Sequence, residues 1–454
     1  MNCIFCCVFG QQKYVDMFFM WLESILIYGK LDENTDILLY TSTSFMNIIK
    51  QSHLFTPKIH FELNDTYNTI DSACKARLDV FHLPSISNYQ KILYLDTDII
   101  VKDDIHKVFD VCKDDILYVV EENTIDFIEN SIDFYGKSLF GEEIDTYSDK
   151  TAFTSGILLF NNCEIIKDLF NKINEDIRDR SHCFHDQPYI VYNAFKYNLY
   201  NNKLLKRYVV NNDTNIHSDK VIHHFPGGPG IYTLKLEQMY VFLNTLKDYT
   251  IQTNIMKTKY YINNFLLPII HNCGEQLEGN IFMIHHTTNY TNVFENKVKN
   301  ISNLVLYNNI ENVVEIGFNA GFSSLLMLFS NPNIKITCFD LGEHKYTLPC
   351  YEKIKETFGD RIHFIIGNSM QTLQEMDGNY DLIHIDGGHE IDVANSDIIN
   401  AYRLSKQGTI LIMDDYDFPN LHQLWDYYIR IYDLQPLNIH IYDSPHHDIK
   451  YVVK

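Results

Sequence analysis

Short apolar runs alternate along this chain with amphipathic segments of helical period. In the first half, strands are predicted at 3–9, 36–41, 91–96, 116–120 and 155–161, with helical patterns such as 14–28 and 164–178 between them. The second half repeats the alternation, with strands expected at 312–316, 334–339, 362–366, 381–386 and 408–413 and a terminal pair at 437–443 and 449–453 around SPHHD. Strands separated by amphipathic helices give α/β sheets that bind ligands at the carboxyl ends of their strands. The terminal pair is spaced for a hairpin, so the second sheet gains one antiparallel strand at its end. Residues 251–295 are helical or irregular, which divides the chain into a domain at 1–250, a helical connector at 251–295 and a domain at 296–454.

A length of 454 residues and a 46% hydrophobic composition suit two folded domains and exclude disorder. The formal charge of −22 repels phosphate backbones, so nucleic acid is not an expected partner, although a local basic pocket for a nucleotide diphosphate remains compatible with it. No apolar run is long enough to span a bilayer, and MNCIFCCVFGQQK lacks a basic leader, so the expectation is a soluble cytoplasmic protein. The Asn-, Ile-, Tyr- and Lys-heavy composition fits an AT-rich genome such as that of a large DNA virus or a protist. Cys3 and Cys6 have a Cys-x-x-Cys spacing, but without a second pair at zinc-finger distance they read as small core residues.

The run KILYLDTDII ends in Asp96 and Asp98, which strand alternation turns toward one face. Such aspartates serve either as turn residues or as paired ligands for a cation, and a second Asp-x-Asp at Asp415–Asp417 makes the bare pattern weak. Its surroundings are more specific. SACKARLDVF precedes it, and AFTSGILLFNN (152–162), HDQPYIVYNAF (185–195) and VIHHFPGGPG (221–230) follow in order. Together these segments resemble retaining glycosyltransferases of family 8, the group of glycogenin and the bacterial lipooligosaccharide galactosyltransferases, over about residues 1–245. The resemblance implies a GT-A-like nucleotide-sugar domain in which Asp96, Asp98 and His224 hold Mn²⁺ against the diphosphate of a UDP-sugar. It carries Arg77 to the phosphate or donor sugar, Tyr14 to the uracil ring, and Asp186 and Gln187 to the sugar and reaction face. Asp186 reads equally as a helix N-cap, Tyr14 as a core residue, and His223 as structural. Two departures stand out: Thr154-Ser155-Gly156 where the family has Asn, and GGPGIY where it has Lys-Pro-Trp. The missing lysine leaves its diphosphate contact to backbone N–H groups of Gly227 and Gly228 or to Lys235.

In the second half, VVEIGFNAGFSS (313–324) runs from a strand through a glycine turn into a helix, which allows a ligand to approach the backbone closely. Asp340 ends the next strand, and GNSMQTL (367–373), YDLIHIDGGHE (380–390) and GTILIMDDYDFP (408–419) follow. This set resembles class I S-adenosylmethionine-dependent, metal-dependent O-methyltransferases of the catechol and macrolide-sugar types, over about 296–454, and implies a Rossmann-like domain. By position, Glu315, Gly317, Asn319, Gly321 and Ser323 form the cofactor loop, Asp340 holds the ribose, and Ser369 lies near the adenine. Asp386, Asp414 and Asp415 would bind Mg²⁺, and His389 would take the proton of a substrate hydroxyl. His384 is expected only to fill space, and His446 and His447 to be exposed in the hairpin turn.

The expectation is a bifunctional enzyme acting on a glycan or glycoconjugate acceptor: metal-dependent retaining transfer from a UDP-sugar, and O-methylation, on a sugar hydroxyl, by S-adenosylmethionine. Two alternatives stay open: an active methyltransferase with a degenerate sugar-binding first domain, and a glycan-binding protein without activity.

Overall fold

The apolar run NCIFCCV forms β1 (Asn2–Val8), a strand almost wholly buried, as a parallel strand covered on both faces must be. The computed structural model describes residues 1–227 and 232–453, and the chain divides into a unit of Met1–Lys50 with Thr56–Thr245 and a unit of Gln51–Phe55 with Leu246–Lys454. Unit 1 continues with β2 (Thr35–Thr41), β3 (Ile59–Leu63), β4 (Lys91–Leu95), β5 (Ile99–Val101), β6 (Leu117–Thr124), β7 (Ile128–Glu129), β8 (Ile132–Asp133), β9 (Thr151–Asn161), β10 (Tyr200–Asn201), β11 (Val209–Asn211) and β12 (Ile222–His224). Seven of them form a sheet in the order β10-β6-β9-β4-β1-β2-β3. Within it β4, β1, β2 and β3 are parallel, and β9 runs antiparallel between β4 and β6. A small sheet, β11-β12-β5, stands beside it and brings His224 opposite Ile99, one residue beyond Asp98. Apolar side chains such as Phe5, Leu38, Tyr94 and Phe160 fill one core of this unit.

Unit 2 contains β13 (Asn312–Ile316), β14 (Lys335–Asp340), β15 (Ile362–Ile366), β16 (Tyr380–Ile385), β17 (Ser405–Asp414) and β18 (His447–Tyr451), in the order β15-β14-β13-β16-β17-β18. All pairings are parallel except β17 with β18. The sequence order turns round at β13, whose carboxyl end is flanked by those of β14 and β16, and such a reversal opens a ligand crevice. Helices cover both faces, and Val314, Ile383, Leu411 and Trp425 lie in the core.

The antiparallel end strand is present, but the expected hairpin is not: β18 pairs with β17, and 437–443 forms no strand. Side chains of the helix Glu295–Leu304 satisfy that segment instead. Asn303 Nδ2 donates to the His440 carbonyl (3.1 Å), and Asn300 clamps Tyr442, donating to its carbonyl and accepting from its N–H at 2.8 Å each. A backbone held by side-chain amides has no ladder to offer.

The same clamp corrects the expectation for His447, which is buried at the start of β18 and not exposed in a turn. Asn300 Nδ2 also faces its Nε2 at 2.9 Å, which makes that nitrogen an acceptor, and Nδ1 is buried without a partner. Burial, first, with the positive charges of Lys297 and His384 against the pull of Asp414, brings its pKa down to about 4. A histidine with a lowered folded pKa costs stability as pH falls, because the unfolded chain takes up the proton first. In EDTA, unfolding free energy is therefore expected to drop by about 3 kcal/mol between pH 6.5 and 4 on account of this residue. Denaturant melts of wild type and His447→Gln across that window check it. Subtracting the two also removes the opposite trend of Asp397, whose carboxyl burial pushes up to about 6.

Candidate active sites

In unit 1, β4 ends at Leu95, and the N–H of Asp96 donates to the Gly156 carbonyl on β9 at 2.9 Å. Ligand atoms of Asp96, Asp98 and His224 lie within 4.8 Å of one another at this strand end. Asp98 is buried; its Oδ2 accepts from Lys235 Nζ at 2.5 Å, and its Oδ1 has no hydrogen-bond donor, with His224 Nε2 3.5 Å away. Burial alone would raise this carboxyl, but the Lys235 ammonium outweighs it and holds Asp98 well below the usual range. The tautomer of His224 follows from its neighbours. Asn211 Nδ2 donates to Glu122 at 2.9 Å, which turns the amide oxygen toward His224 Nδ1 at 3.1 Å, so Nδ1 carries the proton. Nε2 is left with a lone pair aimed at the aspartates, as a metal-binding imidazole requires.

Gly156 completes the cradle. A Cβ there would stand 2.9 Å from His224 Nε2 and 3.0 Å from Asp96 Oδ2, filling the space on which the three donors converge. An orphaned carboxylate oxygen, an imidazole of fitting tautomer and an open cradle suit a hard divalent cation. His223, one residue earlier, donates from Nδ1 to the Asp213 carbonyl and packs on Phe242, a structural role.

Other residues singled out above are differently employed. The buried Arg77 donates to the carbonyls of Ser155 (2.6 Å) and Cys74 (3.2 Å) and pairs with Asp96 at 3.3 Å and Asp186 at 2.9 Å, so its charge fixes two carboxylates within the protein. Asp186 precedes the helix Gln187–Lys196 without capping it, because its carboxylate faces Arg77. Gln187 accepts from Ser155 N (2.9 Å) and donates to the Phe134 carbonyl (3.2 Å), which braces the Ser155–Gly156 turn. Tyr14 is half-buried against a cluster containing Met17 and Phe225. Lys235 stands at the cluster, donating to Asp98 and to the Gly227 carbonyl; Gly228 lies outside the described residues.

In unit 2 the turn after β13 borders a cavity of about 750 Å³, within the range of small-molecule sites. Gly317, Asn319, Asp340, Ser369, Asp386, His389 and Asp415 line it. Gly317 has φ +95°, and a Cβ would fall 1.8 Å from the Asp386 carbonyl oxygen, so no other residue permits this approach of β13 to β16. Asp340 organises the turn: its Oδ2 accepts from the N–H groups of Phe318 (3.0 Å) and Asn319 (2.8 Å), and Oδ1 from that of Gly342 (2.8 Å). Gly321 sits against the Phe318 ring, while Glu315 and Ser323 are buried away from the cavity.

The acidic cluster has a different membership from the expected one. His384, Asp386 and Asp414 supply ligand atoms within 4.8 Å of one another, whereas the Asp415 carboxylate faces His389 Nε2 at 2.7 Å. His384 does more than fill space. It lies between Glu315 and Asp414, 3.2 Å from each, and although burial opposes its charge, hydrogen bonds to both raise it to about 10. Lys297, from the helix Glu295–Leu304, forms a buried ion pair with Asp414. Burial, then repulsion by Asp414, pushes Asp386 well above the carboxylate range. On Asp414 the effect of burial is overcome, chiefly by Lys297, and the carboxyl is lowered.

Sequence reasoning missed Lys297. Its signal was a lysine in the buried stripe that also holds Ile301 and Leu304.

Residues 26–216 match the model of glycosyl transferase family 8, and 314–416 match that of a methyltransferase domain. Comparison with curated sequences gave no match. Among solved structures, the WbbM bifunctional glycosyltransferase shares 17% identity at a TM-score of 0.38, covering 52% of this chain and 49% of its own, so the chain spans about half its length. A galactosyltransferase LgtC with donor and acceptor sugar analogs shares 17% at 0.37 (54% and 96%). The SAH-bound Podospora anserina methyltransferase PaMTH1 shares 15% at 0.32 (45% and 96%). The two family matches, and not these structures, identify the domains. No helix among the described residues is long and apolar enough to cross a membrane.

Proposed function

We propose that the two domains present here, a family 8 glycosyltransferase domain and a methyltransferase domain, form one glycan-modifying enzyme. Unit 1 transfers a sugar from a UDP-sugar with retention, and unit 2 methylates a sugar hydroxyl with S-adenosylmethionine. The observation that carries this reading is the convergence, in each unit, of carboxylate and imidazole atoms at carboxyl ends of parallel strands.

In unit 1, Asp96, Asp98 and His224 would hold Mn²⁺, which when bound takes up charge on the departing diphosphate. Lys235 adds a second positive charge beside it, in place of the absent motif lysine. Arg77 and Gln187 act at one remove, locking Asp96, Asp186 and the Ser155–Gly156 turn into position.

In unit 2, Gly317, Asn319, Asp340 and Ser369 would hold S-adenosylmethionine, in the cavity that Asp386 and His389 also line. The Asp340 carboxylate already accepts three backbone N–H groups, so its ribose contact would use its remaining lone pairs. Asp386 and Asp414 would be the oxygen donors for Mg²⁺, with Asp415 next in the chain, and Lys297 pairs with Asp414 in its absence. Proton removal falls to His389. Its hydrogen bond to Asp415, the largest cause, raises its basicity and leaves Nδ1 to accept the hydroxyl proton.

The test is transfer of labelled methyl from S-adenosylmethionine to glycan acceptors, with a UDP-sugar screen read by mass spectrometry. His389→Asn is expected to slow methyl transfer by roughly 10²-fold with S-adenosylmethionine affinity unchanged. A variant as fast as wild type would remove His389 from the proton path.

A further inference from the structure

A third set of metal-ligating atoms lies apart from both clusters. Glu278, His285 and His286 bring one ligand atom each within 4.8 Å of the others, on the segment that walls the unit 2 cavity. Both Nε2 atoms face the same carboxylate, His285 at 3.4 Å from Oε2 and His286 at 3.3 Å from Oε1. Neighbouring residues in extended chain point to opposite sides, but His286 has φ +61°, which swings its ring onto that of His285 at a centroid distance of 3.7 Å.

These spacings are informative. A charge-assisted hydrogen bond between imidazole and carboxylate closes to about 2.7–2.9 Å. Ligands of a tetrahedral ion with bonds of about 2.0–2.1 Å stand roughly 3.4 Å apart along each edge. The observed pairs, 3.4 and 3.3 Å, match that edge, and the second is also within hydrogen-bond reach, so one carboxylate gathers both imidazoles around a common point. Two imidazole nitrogens and one carboxylate oxygen within reach of one point are a donor set suited to a borderline divalent ion.

The scaffold beneath is firm. The Glu278 N–H donates to the hydroxyl of Tyr346 (3.2 Å), the His286 N–H donates to the Leu277 carbonyl (3.0 Å), and Leu277, Ile281, Phe282 and Met283 are buried. Asn319, on the turn after β13, donates to the Gly279 carbonyl at 2.6 Å, linking this segment to the cavity's glycine turn.

We infer that Glu278, His285 and His286 form a three-ligand site for a zinc-class divalent cation, with a fourth position open, that fastens the wall of the methyl-donor cavity. The effect on the donor rests on the reading of unit 2 given above; the ion site does not.

The test uses the untagged full chain, stripped with EDTA and titrated with Co²⁺ as a spectroscopic probe and with Zn²⁺ for stoichiometry. The double variant His285→Ala/His286→Ala is expected to melt with the stripped wild type, because both side chains are exposed. It is expected to bind one equivalent fewer of either ion and to lose the tetrahedral Co²⁺ absorption. Equal stoichiometry in the two proteins overturns the site. Zn²⁺ is further expected to tighten S-adenosylmethionine binding at least threefold in wild type and not in the variant. Unchanged affinity, with the equivalent lost, overturns the fastening role alone. A wild type that binds Zn²⁺ at this site but no S-adenosylmethionine overturns the methyl-donor reading and leaves the ion site standing.

Discussion

Asp98→Asn is expected to reduce sugar transfer from a UDP-sugar by roughly 10³-fold while methyl transfer by the same preparation stays within twofold. The substitution keeps the side chain's size and removes its charge. Asp98 links the cluster to a lysine: one oxygen pairs with Lys235, and the other is buried without a hydrogen bond, 3.5 Å from His224 Nε2. An amide leaves the imidazole lone pair and Asp96 as a two-ligand remnant, and it no longer offsets the Lys235 ammonium, which is only 11% exposed. Circular dichroism checks that unit 1 remains folded. Mn²⁺-dependent UDP binding, followed by calorimetry, is expected to disappear together with the rate. Transfer within threefold of wild type would place the donor chemistry away from Asp98, whereas a wild type that binds UDP-sugar without transferring it would favour a first domain that only binds sugar.

Strand ends were the legible part of this protein. An apolar run ending in carboxylates is a local signal, so Asp96, Asp98, Asp386 and Asp414 could be placed at the tips of β4, β16 and β17 from sequence alone, and Gly317 and Gly321 at the turn after β13. What escaped depends on partners distant in the chain. Arg77 resembles a phosphate ligand until Asp96 and Asp186 are seen on either side of it. The apolar alternation of 437–443 predicts a strand, and only Asn300 and Asn303, more than 130 residues earlier, explain why it is not one. His384 and Lys297 belong to the same class. A buried charge is intelligible only as a member of a neutral set, and that set is assembled by the fold.

That neutrality gives the second large effect, at Lys297. Behind the cavity, the carboxylates of Glu315 and Asp414 face two cations, Lys297 and a His384 raised to about 10, while burial and then repulsion by Asp414 push Asp386 well above its ordinary value. Two positive charges meet two negative ones in a group almost without solvent contact. Lys297→Met keeps the aliphatic stem against the helix and deletes one cation, which leaves an uncompensated buried carboxylate. Loss of one partner of such a pair costs about 3–5 kcal/mol. In EDTA at pH 7 the variant's unfolding free energy, from denaturant melts, is expected to fall by that amount. Millimolar Mg²⁺ is expected to restore more of it in the variant than it adds to wild type, because a cation reaching Asp386 and Asp414 there meets no competing ammonium. A loss below about 1 kcal/mol, or a Mg²⁺ response equal in both proteins, would mean that the group is not a balanced charge set and that Lys297 does not stand in for a divalent ion.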